Sequence, residues 1–167
     1  KLSTAQIAGI TSAQISALTT AQVSKLSSDQ LNALSVSALA AMSTDDVSVL
    51  SSAQLNSLKS MQLSALTTLQ ISAMTTAQVK ALASAQLSQL STAQIVALTT
   101  DQISAIGTSQ LSSLGTKQLA AMATDDLASL STSQLGVLSS SQVSALTSAQ
   151  IAALTTLQVS NLKTSQL

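Results

Sequence analysis

The sequence predicts an all-α solenoid of very short helices, each one to two turns long, that restart every eight residues. Three observations predict it. One eight-residue pattern runs through the whole 167-residue chain, two of its columns are strictly apolar, and a Ser/Thr-x-x-Gln spacing writes a helix start into nearly every copy.

Counted from Leu2, the octads begin at 2, 10, 18 and every eighth residue up to 162, giving twenty complete copies and a six-residue remainder that ends at Leu167. Residues 1–167 are read as one repeat array. Its start at Lys1 and its stop within an octad give the expectation of a piece of a longer array. A longer period overlies the octads, because Leu39-Ala40-Ala41-Met42-Ser43-Thr44-Asp45-Asp46-Val47 returns eighty residues later as Leu119-Ala120-Ala121-Met122-Ala123-Thr124-Asp125-Asp126-Leu127. Two super-repeats, 2–81 and 82–161, follow from that match.

Column one is Leu, Ile or Met throughout, and column six is Leu, Ile or Val throughout. These columns are the predicted core, represented by Leu18, Val23, Leu26, Leu31, Leu66, Ile71, Leu90, Ile95, Leu146 and Ile151. A continuous helix cannot keep both columns on one stripe, since eight residues advance it by about 800° and rotate the stripe by about 80° per octad. A β-solenoid is the alternative. It needs a bend in each octad to bring columns five and three apart to one face, and the Asn-Gly and Gly-Asp turn signals that would make such bends are missing.

A helix that restarts in each octad satisfies the pattern. In Leu18-Thr19-Thr20-Ala21-Gln22-Val23, Thr19 can cap, Gln22 can reach back as its capping-box partner, and Leu18 and Val23 are placed as the hydrophobic staple. Column three competes for the cap. It keeps its hydroxyl in twenty of twenty-one copies against fifteen for column two, so Thr20 stands beside Thr19 and Gln22 as a candidate capping residue, with the capping box preferred. Column five is Gln in eighteen copies and departs only at Ala38, Asp46 and Asp126. One octad cannot fold alone, because burying a Leu and a Val contributes roughly 3–6 kcal/mol while ordering eight residues costs about 12 kcal/mol. Stacking of successive turns must supply the difference.

The composition excludes several functions. There are six Lys, six Asp and no net charge, no Arg, and no aromatic residue, so the basic face and stacking rings of a nucleic-acid binder are absent. Ser, Thr or Gln interrupts every octad before an apolar run reaches the ~18 residues of a membrane span. Without His, Cys, Glu or Tyr, the many Ser hydroxyls have no base beside them in sequence, and the expectation is a non-enzymatic chain with no cofactor and no small-molecule substrate. Asp45-Asp46 and Asp125-Asp126 are the local acidic pairs. A calcium site is the weaker reading of Asp45, Asp46, Asp125 and Asp126, because no loop alternates Asp/Asn with Gly, and the preferred reading is helix-start acceptors, with no metal. The column-three hydroxyls could form a ladder that meets ice, and the column-five amides could form one between repeats. Core and cap roles account for both more simply. Met42, Met74 and Met122 replace Leu in column one, whereas Met61 joins Leu69 and Leu157 as apolar exceptions in column four, where contacts between turns or chains are expected.

The Leu-Thr-Thr-Ala-Gln-Val octad at 18–23 and Met-Thr-Thr-Ala-Gln-Val at 74–79 resemble repeat regions of very large bacterial secreted or surface proteins. That resemblance spans the chain and implies an extracellular, adhesin-like or matrix setting. Leu-Thr-x-x-Gln-Val is also similar to the opening of a transcription-activator-like effector repeat, but the longer unit and base-reading loop of that family are missing. The expected function is a rod, spacer or filament-forming part of a bacterial extracellular or cell-surface protein, with self-association against identical chains and no nucleic-acid partner or membrane insertion. The alternative is a binding module whose regular Ser/Thr/Gln face meets ice, glycan or another copy.

Overall fold

The computed structural model describes residues 2–166, and among them lie twenty α-helices of four to six residues and no strand. The β-solenoid is thereby set aside. Its missing turn signals prove unnecessary for the helical path, since column one and column two are simply extended, as at Leu34 with φ −64° and ψ 142° and Ser35 with φ −67° and ψ 157°. No described residue has a positive φ.

The chain divides into two compact units, Lys1–Leu82 and Ala83–Leu167. In the first, the helix Thr20–Val23 packs on Thr44–Ser48, which packs on Thr68–Ser72, while Ser12–Ser16 packs on Val36–Ala40 and that helix on Ser60–Ala65. In the second, Thr100–Ser104 packs on Thr124–Ser129, and that helix on Ser148–Ala153. Within either unit, helices therefore meet those three octads on, so three octads complete a turn.

Thr19 is the N-cap: its backbone is extended at φ −79° and ψ 154°, its hydroxyl accepts the Gln22 N–H, and Gln22 Oε1 accepts the Thr19 N–H at 2.9 Å. Thr20 is the first helical residue, not a cap, because its backbone already belongs to the helix Thr20–Val23. The column-two register recurs in every helix. Where Lys59, Ala83, Gly107, Gly115 or Ala123 occupies the cap, the hydroxyl half of the box is lost. The reverse half persists, as in Gly107 N–H to Gln110 Oε1 at 2.7 Å and Gly115 N–H to Gln118 Oε1 at 2.8 Å.

The Gln side chain also reaches the turn before it. Gln70 Oε1 accepts the Thr67 N–H at 2.8 Å, while its Nε2 donates to the carbonyls of Leu39 at 2.9 Å and Met42 at 2.7 Å. Gln158 repeats this in the second unit, on Thr155 and on Leu127, Ala128 and Leu130. Partner chemistry fixes the amide orientation, since an N–H must face Oε1 and carbonyls must face Nε2. From Gln30 onward most of these side chains are buried, whereas Gln6, Gln14 and Gln22, with no earlier turn among the described residues, are exposed.

Burial follows the same direction. Column six is buried from Ile7 to Val143, and column one from Leu34 to Leu154. Of the predicted core, Val23, Leu31, Leu66, Ile71, Leu90, Ile95 and Leu146 are buried. Leu18 and Leu26 are only half-buried and Ile151 is 39% exposed, which corrects their assignment to the core. Column one packs against the preceding turn and column six against the following one, so these residues lack their cover in the first and last described turns. Leu167, the final column-six residue, lies outside the described residues.

Two stability changes follow. Gln70→Ala strands buried carbonyls as well as a cap N–H and should cost about 2–4 kcal/mol, against about 1 kcal/mol for Gln22→Ala, where only the cap half is lost. Gly115→Ser should stabilise by about 0.5–1 kcal/mol, because φ −72° and ψ 155° suit any L-residue and the added hydroxyl completes the capping box. Denaturant unfolding followed by circular dichroism measures both, and equal losses for the two Gln variants would contradict the inter-turn role.

Candidate functional site

The surface is built from columns two, three, four, seven and eight, and its most regular feature is the column-three hydroxyl. In the twenty described helices column three is the first helical position, where the backbone N–H has no intrahelical partner. In the first unit Thr44 and Thr68 are exposed on helices stacked one turn apart, and in the second Thr92, Thr116 and Ser140 are likewise exposed. Because column two does the capping, the near-constancy of column three is not explained by caps. From Gln30 onward most of the Gln column is buried and does not share this face, so there the regular polar surface is made by Ser and Thr.

Some surface hydroxyls take up inter-turn bonding where the Gln column fails. Ala38 replaces Gln in the fifth octad, and there Ser12 Oγ donates to the Ser37 carbonyl at 3.1 Å and Ser16 Oγ to the Ala41 carbonyl at 2.8 Å. Asp126 replaces Gln in the sixteenth, and Thr100 Oγ1 donates to its Oδ1 at 2.9 Å. Both substitutions keep a hydrogen bond to the previous turn.

The acidic residues do not gather. Asp45 and Asp125, in column four, are exposed, while Asp46 and Asp126, in column five, are buried. Asp46 Oδ2 accepts the Ser43 N–H at 3.0 Å and Asp126 Oδ2 accepts the Ala123 N–H at 3.3 Å, so each stands in for Gln Oε1 at its own helix start. Among the described residues no group of three or more His, Cys, Asp or Glu could jointly hold a metal ion.

Met42, Met74 and Met122 are buried in column one, whereas Met61 is 77% exposed, and Leu69 and Leu157 stand out similarly. These residues face solvent. In the first unit an open apolar recess is lined by Leu2, Ile7, Leu18, Gln22, Leu26 and Gln30, the half-covered side of the first turn. In the second, Lys163 Nζ donates to the Gly136 carbonyl at 2.6 Å beside a shallow depression. No described helix is long and apolar enough to cross a membrane.

Of the residues with a predicted role, Thr19 and Gln22 come together as one cap, and Thr20 stands apart from it. From sequence the second role of Gln is visible only as an amide ladder between repeats, ranked below capping, whereas Nε2 meets backbone carbonyls; a signal for it existed, since Gln62, Gln86, Gln110 and Gln118 persist in octads whose column-two hydroxyl has gone. A residue kept only to complete a capping box has less reason to remain there.

Segments 1–28, 23–60, 81–116 and 119–156 match the ALTTAQ repeat family, and together they take in about four-fifths of the chain. The motif stands unaltered at Ala17-Leu18-Thr19-Thr20-Ala21-Gln22. The chain belongs to the ALTTAQ repeat family. No curated protein matches it.

The cap register gives a further expectation. Thr67→Ala should cost about 1 kcal/mol, because the hydroxyl that accepts the Gln70 N–H is lost, while Thr68→Ala, on the exposed first helical position, should stay within about 0.5 kcal/mol. Thermal melts of the two variants distinguish the columns, and a larger loss at Thr68 would reverse the assignment.

Proposed function

We propose that this member of the ALTTAQ repeat family is a non-enzymatic structural segment, a rod or spacer or filament-forming part of a bacterial extracellular or cell-surface protein. The observation that carries this reading is the repeated coupling of Gln Nε2 to the column-one carbonyl three octads earlier, at 2.6–3.0 Å in both units. A turn bonded only to its neighbours can be added without redesigning the rest, and length is then set by copy number. The chain's chemistry agrees with a scaffold. Its polar atoms are spent on caps, inter-turn bonds and a hydroxyl-rich surface with few charges, without the His, Cys, Glu or Tyr that acid-base chemistry usually draws on.

A second reading is a binding module, favoured by the exposed column-three hydroxyls that capping leaves unexplained. Ice, glycan or an identical chain would be its ligand. Proteins carrying one, two and three copies of residues 82–161 separate the readings by solution scattering and sedimentation. The spacer reading expects a maximum dimension that rises by a constant increment per copy and does not change with concentration. A dimension that fails to grow with copy number overturns it, and arrest of ice growth or glycan binding by the single copy favours the second reading.

A further inference from the structure

Three octads depart from Gln in column five, and two of them are compensated by hydroxyls across the turn, as at Ala38 and Asp126. The third is not. Asp46 is 2% exposed, its Oδ2 accepts the Ser43 N–H, and its Oδ1 is buried with no hydrogen-bond partner.

What Asp46 faces follows from the register. The Nε2 of Gln62, Gln70 and Gln78 donates to carbonyls 28 and 30 residues earlier. The same offsets from Asp46 reach Leu18 and Ser16, whose carbonyls accept no hydrogen bond among the described residues. The helix Thr20–Val23 packs on the helix of Asp46, and the Ser16 carbonyl ends the helix Ser12–Ser16, where the backbone dipole is negative. Thr20 holds the place that Thr100 holds beside Asp126, eighty residues on. Where octads that carry Gln above an earlier turn put an N–H donor, this one has the buried, unpartnered carboxylate oxygen of Asp46. A carboxylate enclosed there without a donor must be neutralised, by a proton or by a cation.

We infer that Asp46 Oδ1, the carbonyls of Leu18 and Ser16 and the hydroxyl of Thr20 form a site for one alkali-metal cation, with sodium the expected ion. The ligands are hard oxygens, as such ions require, and carbonyls at helix C-terminal ends are suited to coordinate them. One carboxylate with otherwise neutral ligands is balanced by a single positive charge. A divalent ion would leave an excess charge buried. Asp45 is exposed and takes no part, so this differs from a calcium site shared by the acidic pair. The site would lock the turn holding octads two and three to octad six by an ion, where the other turns use an amide. It is independent of the spacer reading.

Thermal melts of the full chain in sodium chloride and in tetramethylammonium chloride at equal ionic strength test this, since screening is then the same in both. The wild type should melt about 3–5 °C higher in sodium present at ten times its dissociation constant. Asp46→Gln restores the residue found in eighteen octads and should melt alike in both salts, whereas Asp126→Gln should keep the sodium shift. Sodium NMR line broadening by the wild type, lost in Asp46→Gln, reads the site without relying on unfolding. Equal melting of the wild type in the two salts overturns the proposal. So does a sodium shift that survives in Asp46→Gln, or a calcium shift exceeding that of sodium and abolished by the same substitution.

Discussion

The side-chain amide of column five is the interaction on which the rest of the structure depends. One end of it completes a helix and the other joins that helix to an earlier turn, so local folding and stacking share a single group. Gln70 is the clear case, with Oε1 on the Thr67 N–H and Nε2 on the Leu39 and Met42 carbonyls. Glu could make the first bond and not the second, and Asn would fall a methylene short of spanning both. The demand for an acceptor and a donor at that reach is specific to Gln.

The amide also explains how helices of four to six residues persist far below the length at which isolated helices become marginal. Such a helix is nearly all terminus, and its unpaired N–H and C=O groups outnumber its internal bonds. Each octad answers them in turn. The column-five N–H meets the column-two hydroxyl, the column-two N–H meets Gln Oε1, and the column-six N–H returns to the column-two carbonyl, as Val23 does to Thr19 at 3.0 Å. The column-one N–H closes on the preceding column six, as Leu34 does on Leu31 at 3.2 Å, and the carbonyls left at the helix end receive Nε2 from the following turn. Buried main-chain groups are satisfied only once stacking has occurred, which makes a single octad unstable for polar as well as apolar reasons.

Much of this was legible because the octad is a local statement. Thr19, Gln22 and the flanking Leu18 and Val23 state a helix start within six residues, and the two apolar columns identify the core. The number of octads per turn was not legible, since it is set by which earlier carbonyl Nε2 reaches, a contact 28 residues away that leaves no mark within the octad. The exposure of Ile151 and the half-burial of Leu18 escaped for a related reason: the columns are equivalent in sequence, but cover comes from a neighbouring turn. The split between Asp45 and Asp46 was hidden likewise, because adjacent helical residues point about 100° apart and only the stacked turn shows which is enclosed.

The spacing of the turns in turn constrains the core. A Gln side chain that must hold its own cap and still place Nε2 within hydrogen-bonding distance of the turn before it fixes how far apart the two turns can lie. A ring in column one or six would wedge them apart and draw Nε2 away from its carbonyls. Leu, Ile, Val and Met fill the space within that limit, and the absence of Phe, Tyr and Trp from 167 residues is consistent with it. The same limit explains why losing Gln is tolerated at Ala38. The serines at positions 12 and 16 bridge the same pair of turns with short side chains, so the spacing survives the loss of the residue that sets it elsewhere.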